Sequence, residues 1–472
     1  MKKEMHKKYD YLVIGSGPAG FVSAITASQL GLKVAVVEKE RDSFGGVCLN
    51  EGCIPLKSLI DSAKKFRTIR DNASVCIGKI ECGGANLSGF VEKSKKDAEV
   101  LKKGLSFLFR KNNIDLLIGE ACFLDNNTVR VFEKDGSWTD VSAVNFLIAA
   151  GSKSKELPAF KCDGKYVITS SEAVRLDTVP EKILIVGAGA IGVEFASFFN
   201  SIGVRVTIVE TENCLLPAAD KEVSRRMGSI FKKDGINVIT GGRVKHVLVK
   251  NKRVTAEIEV ESEAIKETYD IVLVSAGRVP SVSPDFLKNT DVRADEDGFI
   301  PVDEFTRTNV KNIYAAGDVI RTPMFAHTAQ DEGELAARTA AGAPTETINY
   351  RLVPNVVYSE VQTASIGMTE EEARLKGIDI ALGKQFFKSN GLALVKGETE
   401  GFIKIIADKN DHSILGVHIV GHNASELIHE FIVAMKTRLP VDKLAEIIHA
   451  HPTFAETAQD AARAVFGKSV MG

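Results

Sequence analysis

The sequence predicts an α/β fold in which two parallel sheets with packed helices precede a smaller α+β domain. Two observations carry this. A strand, a glycine loop, a helix and a second strand ending in an acidic residue occur in that order twice, and the last ~120 residues change pattern. The first copy runs Tyr11-Leu12-Val13-Ile14, Gly15-x-Gly17-x-x-Gly20, a helical stretch to about Leu30, a turn at Gly31, and Val34-Ala35-Val36-Val37 closing on Glu38. The second runs Ile183-Leu184-Ile185-Val186, Gly187-x-Gly189-x-x-Gly192, a helix through Phe199, a turn at Gly203, and Val206-Thr207-Ile208-Val209 closing on Glu210. Further strands are expected at 237–239, 271–274 and 312–315, so that strands and helices alternate to about residue 340. In the terminal domain, Phe402-Ile403-Lys404-Ile405-Ile406 and 414–420 are expected to pair across 408–411, with helices starting at Ala424 and Val441.

A bare G-x-G-x-x-G string is weak evidence. Here each copy leaves an apolar strand and opens a helix, so its glycines can make the tight turn, admit a pyrophosphate and pack helix on strand. The helix N-terminus then faces the phosphates. This reads as two Rossmann-like dinucleotide-binding units, with Gly15, Gly17 and Gly20 serving one and Gly187, Gly189 and Gly192 the other. Glu38 and Glu210, each 23 positions after its first glycine, are expected at adenosine ribose hydroxyls. A carboxylate at Glu210 repels a 2′-phosphate, and residues 211–220 contain no Arg or Lys to hold one, which favours NAD over NADP.

The chain has 472 residues, 44% hydrophobic and 26% charged, which suits about three ordinary globular domains and excludes disorder or a small disulfide scaffold. Its formal net charge of -2 supplies no general field for nucleic acid or an anionic membrane. The longest apolar run, 143–151, is too short for a membrane span. The basic start, residues 1–8, leads straight into a glycine motif, so it reads as a solvated tail of a cytoplasmic protein and not as a signal peptide. Seven cysteines, an odd number, point to a reducing compartment and away from a structural disulfide framework.

Cys48 and Cys53 stand five apart in Phe44-Gly45-Gly46-Val47-Cys48-Leu49-Asn50-Glu51-Gly52-Cys53-Ile54-Pro55-Leu56-Lys57. The spacing alone fits two buried thiols, and it is not a zinc pattern. Nearby glycines would let this stretch pass a cofactor, and a helix starting here would stabilise a thiolate, which favours redox work. Cys76, Cys82, Cys122, Cys162 and Cys214 show no pairing and are expected to be buried or inert. His418, His422 and His429 lack the companions of a metal set, so no metal site is expected.

With the redox segment, Gly317-Asp318, Phe325-Ala326-His327 and His449-Ala450-His451-Pro452-Thr453-Phe454-Ala455-Glu456 in order, the chain resembles the flavin-dependent pyridine nucleotide-disulfide oxidoreductases over nearly its whole length, most of all the branch acting on dihydrolipoamide. The resemblance implies FAD at the first motif and NAD at the second. It implies domains at 1–152 (FAD, first part), 153–279 (NAD), 280–349 (FAD and central, second part) and 350–472 (dimerisation). Asp318 would touch the flavin's ribitol or pyrophosphate, and the backbone at Ala326 and His327 its isoalloxazine edge. Lys57 would lie by the flavin and pair with Glu194. Gly151 and Gly277 fall at further cofactor-side turns, although the run 276–280 reads as a structural link.

By the same resemblance, dihydrolipoamide would attack a Cys48-Cys53 disulfide at Cys48, and Cys53 would pass electrons through FAD to NAD+. His451, oriented by Glu456 as a carboxylate orients a catalytic histidine, would be the base, reaching the other subunit of a homodimer. His449 is the bland member of the pair, and the His451-Pro452 bond can be cis. The implied partners are a lipoyl-domain-bearing acyltransferase or a glycine cleavage H-type protein. No lipoyl domain is read before Gly15. Val47, Leu56, Ala150 and Val361 depart from the usual pattern, and loss of hydroxyls at Val47 and Leu56 is expected to weaken FAD retention. Glutathione- or trypanothione-type reduction is opposed by Glu210. Mercuric reduction is opposed by the tail Ser469-Val470-Met471-Gly472, which has no cysteine pair. A non-catalytic binding subunit would not need Cys48, Cys53, His451 and Glu456 together.

Overall fold

A computed structural model describes residues 6–76 and 83–471. The chain forms two compact units: Met1–Ser58, Gly89–Lys155 and Gly277–Tyr350 make the first, and Leu59–Ser88, Glu156–Ala276 and Arg351–Gly472 the second.

The first unit is built on a seven-stranded sheet. His6–Ile14 lies between Val34–Glu38 and Trp138–Ile148, parallel to both. Asp115–Ile118 and Ile313–Ala315 add parallel strands. Thr128–Phe132 and Glu120–Asp125 extend the sheet antiparallel. Side chains alternate across a strand, so Leu12 and Ile14 enter one apolar cluster with Phe146 and Ile313, whereas Tyr11 and Val13 enter another with Ala24, Ala329 and Ala336. The second cluster holds the helices Pro18–Gln29 and Ala326–Ala340 together, and Gly333 allows it: a Cβ there would lie 2.2 Å from the Ala19 carbonyl oxygen.

The start of this sheet corrects the reading of a solvated tail for residues 6–8, while residues 1–5 lie outside the described residues. His6, Lys7 and Lys8 are strand, in register with Asp140, Val141 and Ser142, because the 11-residue strand Trp138–Ile148 offers backbone partners beyond Tyr9.

The second unit has a five-stranded parallel sheet in the order Asn237–Ile239, Arg205–Val209, Lys182–Val186, Ile271–Val274, Val167–Ile168. The expected strand and helix alternation breaks here. Gly242–Lys250, Arg253–Val260 and Glu263–Tyr269 form an antiparallel meander whose turns use Asn251, Lys252, Glu261 and Ser262 at positive φ, so no glycine marks them. The terminal domain is a five-stranded antiparallel sheet that includes Phe402–Asp408 paired with Ile414–Gly421. The helices Ala424–Lys436 and Val441–Glu446 pack in its apolar core, as the pattern predicts. No helix among the described residues is long and apolar enough to cross a membrane.

Candidate active site

The two glycine loops have nearly the same backbone. Gly15 and Gly187 both have φ +103, and a Cβ would lie 2.2 Å from the Ala149 oxygen in one and 2.6 Å from the Ser275 oxygen in the other. Each leads into a 12-residue helix, Pro18–Gln29 or Ala190–Ser201, whose N-cap glycine provides no side-chain cap. First-turn N–H groups without a capping side chain suit an anionic diphosphate, so both loops fit a dinucleotide.

Glu38 and Glu210 do more than end their strands. Each accepts from the N–H between the first two glycines: Ser16 to Glu38 at 3.0 Å, and Ala188 to Glu210 at 2.7 Å. Their other oxygens accept from Lys39 N–H at 2.8 Å and Glu212 N–H at 3.0 Å. Ser16 Oγ also donates to Glu38 at 2.5 Å and accepts from Gly45 N–H at 3.0 Å, linking the first loop to the cysteine segment. A Cβ on Gly46 would come 2.5 Å from Gly17 Cα, so the two segments pack backbone to backbone.

Cys48 lies in the short helix Gly46–Asn50, and Cys53 opens the helix Cys53–Cys76. Between them, Asn50 Nδ2 donates to Phe44 O at 3.0 Å and Gly46 O at 2.8 Å, closing the loop. The two cysteines are free thiols joined by a hydrogen bond, the reduced form of the expected couple. For Cys48, the hydrogen bond with Cys53 and burial push the thiol well above the usual range, while the nearby Lys57 charge pulls only weakly the other way. Val47 is 41% exposed, whereas Leu56 is buried.

On the same unit, Ser152–Ser154 pairs with Arg278–Pro280, and the turns at Gly151 and Gly277 close that ribbon through Ser281 N–H to Gly151 O and Lys155 N–H to Gly277 O. Asp318 accepts from Ser152 Oγ. Ala326 and His327 start the helix Ala326–Ala340, with the His327 ring stacked 5.2 Å from Phe325. Glu332 on that helix is fully buried and accepts from Gly317 N–H at 2.7 Å and Tyr350 OH at 3.0 Å.

In the second unit His451 Nδ1 stands 2.9 Å from Glu456 Oε1, and Glu456 Oε2 accepts from Thr453 N–H at 2.8 Å. The imidazole is 78% exposed while its carboxylate is 12% exposed, so the ring faces outward from a fixed partner. The His451-Pro452 peptide is cis. His449 is held instead: Nε2 is 2.8 Å from Glu430 Oε1, and Nδ1 is 2.9 Å from Ile447 O. Glu194 accepts from Tyr358 N–H at 2.9 Å. Lys57 belongs to the first unit and Glu194 to the second.

His418 is buried with Nε2 2.9 Å from Met368 O, His422 lies 3.5 Å from Glu398, and His429 is exposed. Cys162 is exposed, and partial desolvation of its sulfur and the carboxylates of Glu172 and Asp163 push the thiol up. Cys122 and Cys214 are partly exposed. Cys82 and the side chain of Cys76 lie outside the described residues.

Ser16, Asn50, Arg278 and Glu332 escaped sequence reading as site residues. Asn50 had a local signal, since it follows Gly46 by four positions on a helix. Glu332 had none, because its partners come from elsewhere in the chain.

The family described as pyridine nucleotide-disulphide oxidoreductase matches residues 9–333, and its dimerisation domain matches residues 353–462. Dihydrolipoyl dehydrogenase of Bacillus subtilis is 38% identical over 478 residues, covering 99% of this chain and 100% of that protein. Dihydrolipoyl dehydrogenase of Zymomonas mobilis is 35% identical, covering 99% and 100%. Among solved structures, LpdA of Mycobacterium tuberculosis superposes with a TM-score of 0.89 at 24% identity, over 96% of this chain and 99% of that one, a likeness of fold. The HOCl-induced flavoprotein disulfide reductase RclA of Escherichia coli, as a Cu(II) complex, has a TM-score of 0.87 at 26% identity, over 97% and 99%.

Proposed function

The chain belongs to the pyridine nucleotide-disulphide oxidoreductase family, and on that premise we propose that it oxidises protein-bound dihydrolipoyl groups to the lipoyl disulfide while reducing NAD+. The observation that carries this reading is the Cys48 and Cys53 thiol pair, closed by Asn50 and packed on the first dinucleotide loop. FAD at the first loop supplies a two-electron relay and NAD+ at the second the final acceptor.

The chain's own residues perform the thiol chemistry. A substrate thiolate attacks Cys48 of the oxidised pair, the Cys48-Cys53 bond breaks, and Cys53 leaves as a thiolate. The substrate's second thiol then gives its proton to a histidine and attacks its own sulfur in the mixed disulfide, which closes the lipoyl ring and releases Cys48. His451 is that histidine. With Glu456 beside Nδ1, the proton of neutral imidazole is held on Nδ1, which leaves the Nε2 lone pair to take the substrate's proton. In a homodimer it serves the dithiol of the partner subunit, and the 350–472 domain makes the contact. The segments 1–152 and 280–349 form the FAD domain, and 153–279 the NAD domain. Gly15, Gly17, Gly20, Glu38, Gly151, Asp318, Ala326 and His327 serve FAD, while Gly187, Gly189, Gly192, Glu210 and Gly277 serve NAD. The carrier is a lipoyl-bearing acyltransferase or a glycine cleavage H-type protein, in the cytoplasm.

The test is NAD+ reduction by dihydrolipoamide with the purified flavoprotein. Turnover with NAD+, little with NADP+, none in Cys48→Ser and a loss of about a hundredfold in His451→Gln are expected. Full turnover in Cys48→Ser would sink the thiol route. A flavoprotein that oxidises NADH with another disulfide but ignores lipoamide would keep the family and overturn the substrate.

A further inference from the structure

The run 276–280, read from the sequence as a structural link, carries a side chain that reaches the flavin-side carboxylate. Arg278 Nε donates to Ser152 Oγ at 2.7 Å, and its Nη2 donates to Ser152 O at 2.7 Å. Ser152 Oγ donates in turn to Asp318 Oδ2, and Arg278 Nε lies 3.9 Å from that same oxygen. The network is sheltered, with Ser152 6% exposed and the Arg278 and Asp318 side chains 18% and 23% exposed.

The direction of the relay follows from the donor inventory. A guanidinium only donates, and a serine hydroxyl has one proton. Because Arg278 donates to Ser152 Oγ, that one proton is left for Asp318. Oδ2 is thereby committed inward, and Oδ1 has no hydrogen-bond partner among the described residues. On the other side, Glu332 accepts from Gly317 N–H at 2.7 Å and so fixes the residue before Asp318. The carboxylate is held from two directions with one oxygen left to accept. Such orientation lowers the cost of ordering a contact when a ligand arrives.

We propose that Arg278 and Ser152 are positioning residues that turn Asp318 so that Oδ1 accepts a hydroxyl of the flavin's ribitol chain. This rests on the reading of Asp318 as a flavin contact. The conserved quantity in the relay is a single proton on Ser152 Oγ, so threonine should serve in its place and alanine should not.

The test measures FAD dissociation from the loaded full-length protein by flavin fluorescence, together with the flavin absorption spectrum. Asp318→Asn is expected to weaken FAD binding by about tenfold or more, Ser152→Ala by about three- to tenfold, and Arg278→Lys by a similar or smaller factor, with Ser152→Thr close to the parent. In the Asp318→Asn background, Ser152→Ala should add little, since its effect passes through Asp318. Additive losses in the double variant would overturn the relay, as would an unchanged Ser152→Ala beside a weakened Asp318→Asn. If Asp318→Asn itself retains FAD like the parent, the flavin-contact reading fails, and the relay with it. Thermal unfolding of the apoproteins separates general damage: equal midpoints with unequal FAD retention support positioning, and midpoints that fall in step with retention refute it.

Discussion

Glu332, on the helix Ala326–Ala340, is fully buried, and burial pushes its carboxyl up to about 7 although Thr322, Gly317 and Tyr350 hydrogen-bond to it. A carboxyl raised in the folded state favours folding while it is protonated. That contribution is whole below its ordinary value of 4.5 and is lost as pH rises through about 7. Glu332→Gln should therefore leave the melting temperature near the parent's at pH 5 and raise it at pH 8, by an amount equivalent to about 3 kcal/mol at most. A pH-independent difference in scanning calorimetry would contradict this. Asn50 gives a second residue-scale prediction. Asn50→Ala removes both bonds that close the cysteine loop and should cost about 1–3 kcal/mol locally, seen as several-fold faster alkylation of Cys48 by mass spectrometry with the overall fold retained. The cysteines, the glycine loops and the pair His451 and Glu456 were legible because each is a local pattern. Glu332 and the contact of Ser152 with Asp318, 166 positions apart, were not, since nothing in one sequence links such distant partners.

At the scale of elements, the parallel strands were legible because buried strands read as continuous Val, Ile and Leu runs bounded by glycine: Val34–Glu38 is buried at every position. The meander over 242–269 was hidden for the opposite reason. Gly242–Lys250 and Glu263–Tyr269 are largely exposed, and their turns are made by Asn, Lys, Glu and Ser, so neither an apolar run nor a glycine announced them. Packing between helices is equally silent in sequence, yet testable. Gly333→Ala would place a methyl 2.2 Å from the Ala19 oxygen, where backbone cannot yield cheaply. The helix Ala326–Ala340 must then lift from Pro18–Gln29, at a cost of about 1–3 kcal/mol. Because the first helix is capped by Gly17 and the second carries Ala326 and His327 in its first turn, FAD retention should fall along with the melting temperature. Gly104→Ala, in the helix Leu87–Lys111 of the same unit, where a Cβ meets nothing within 4 Å and the backbone is not left-handed, serves as the control for flavin retention.

Across the molecule, the second unit is tied together by a charge cluster that no local pattern revealed. Lys404, 2% exposed, has Nζ 3.1 Å from Asp220, 3.3 Å from Glu222 and 2.7 Å from Glu370. Lys384 and Arg374 balance the outer two acids at 3.0 Å and 2.8 Å. Asp220 caps the helix Lys221–Lys233, and the turn before it bonds back to the second glycine loop through Leu216 N–H to Ala188 O at 2.9 Å. A lysine of the terminal sheet thus braces the nucleotide loop through Asp220, 184 positions away. Replacing a buried pair by apolar groups can be neutral, but removing one partner strands the other. Lys404→Met leaves Asp220 without its cation and should cost about 3–5 kcal/mol in urea unfolding, with part of the loss recovered in Lys404→Met/Asp220→Asn. Burial raises Asp220, but His418, the Glu222 N–H and Lys404 outweigh it and hold the carboxyl below its usual range. A depressed acid stabilises the fold above its unfolded value, and that contribution is lost as pH falls through the folded one. The deficit of Lys404→Met should accordingly shrink as the medium is acidified below about pH 4, whereas a deficit that stays constant to pH 3 would mean lost packing and not lost charge.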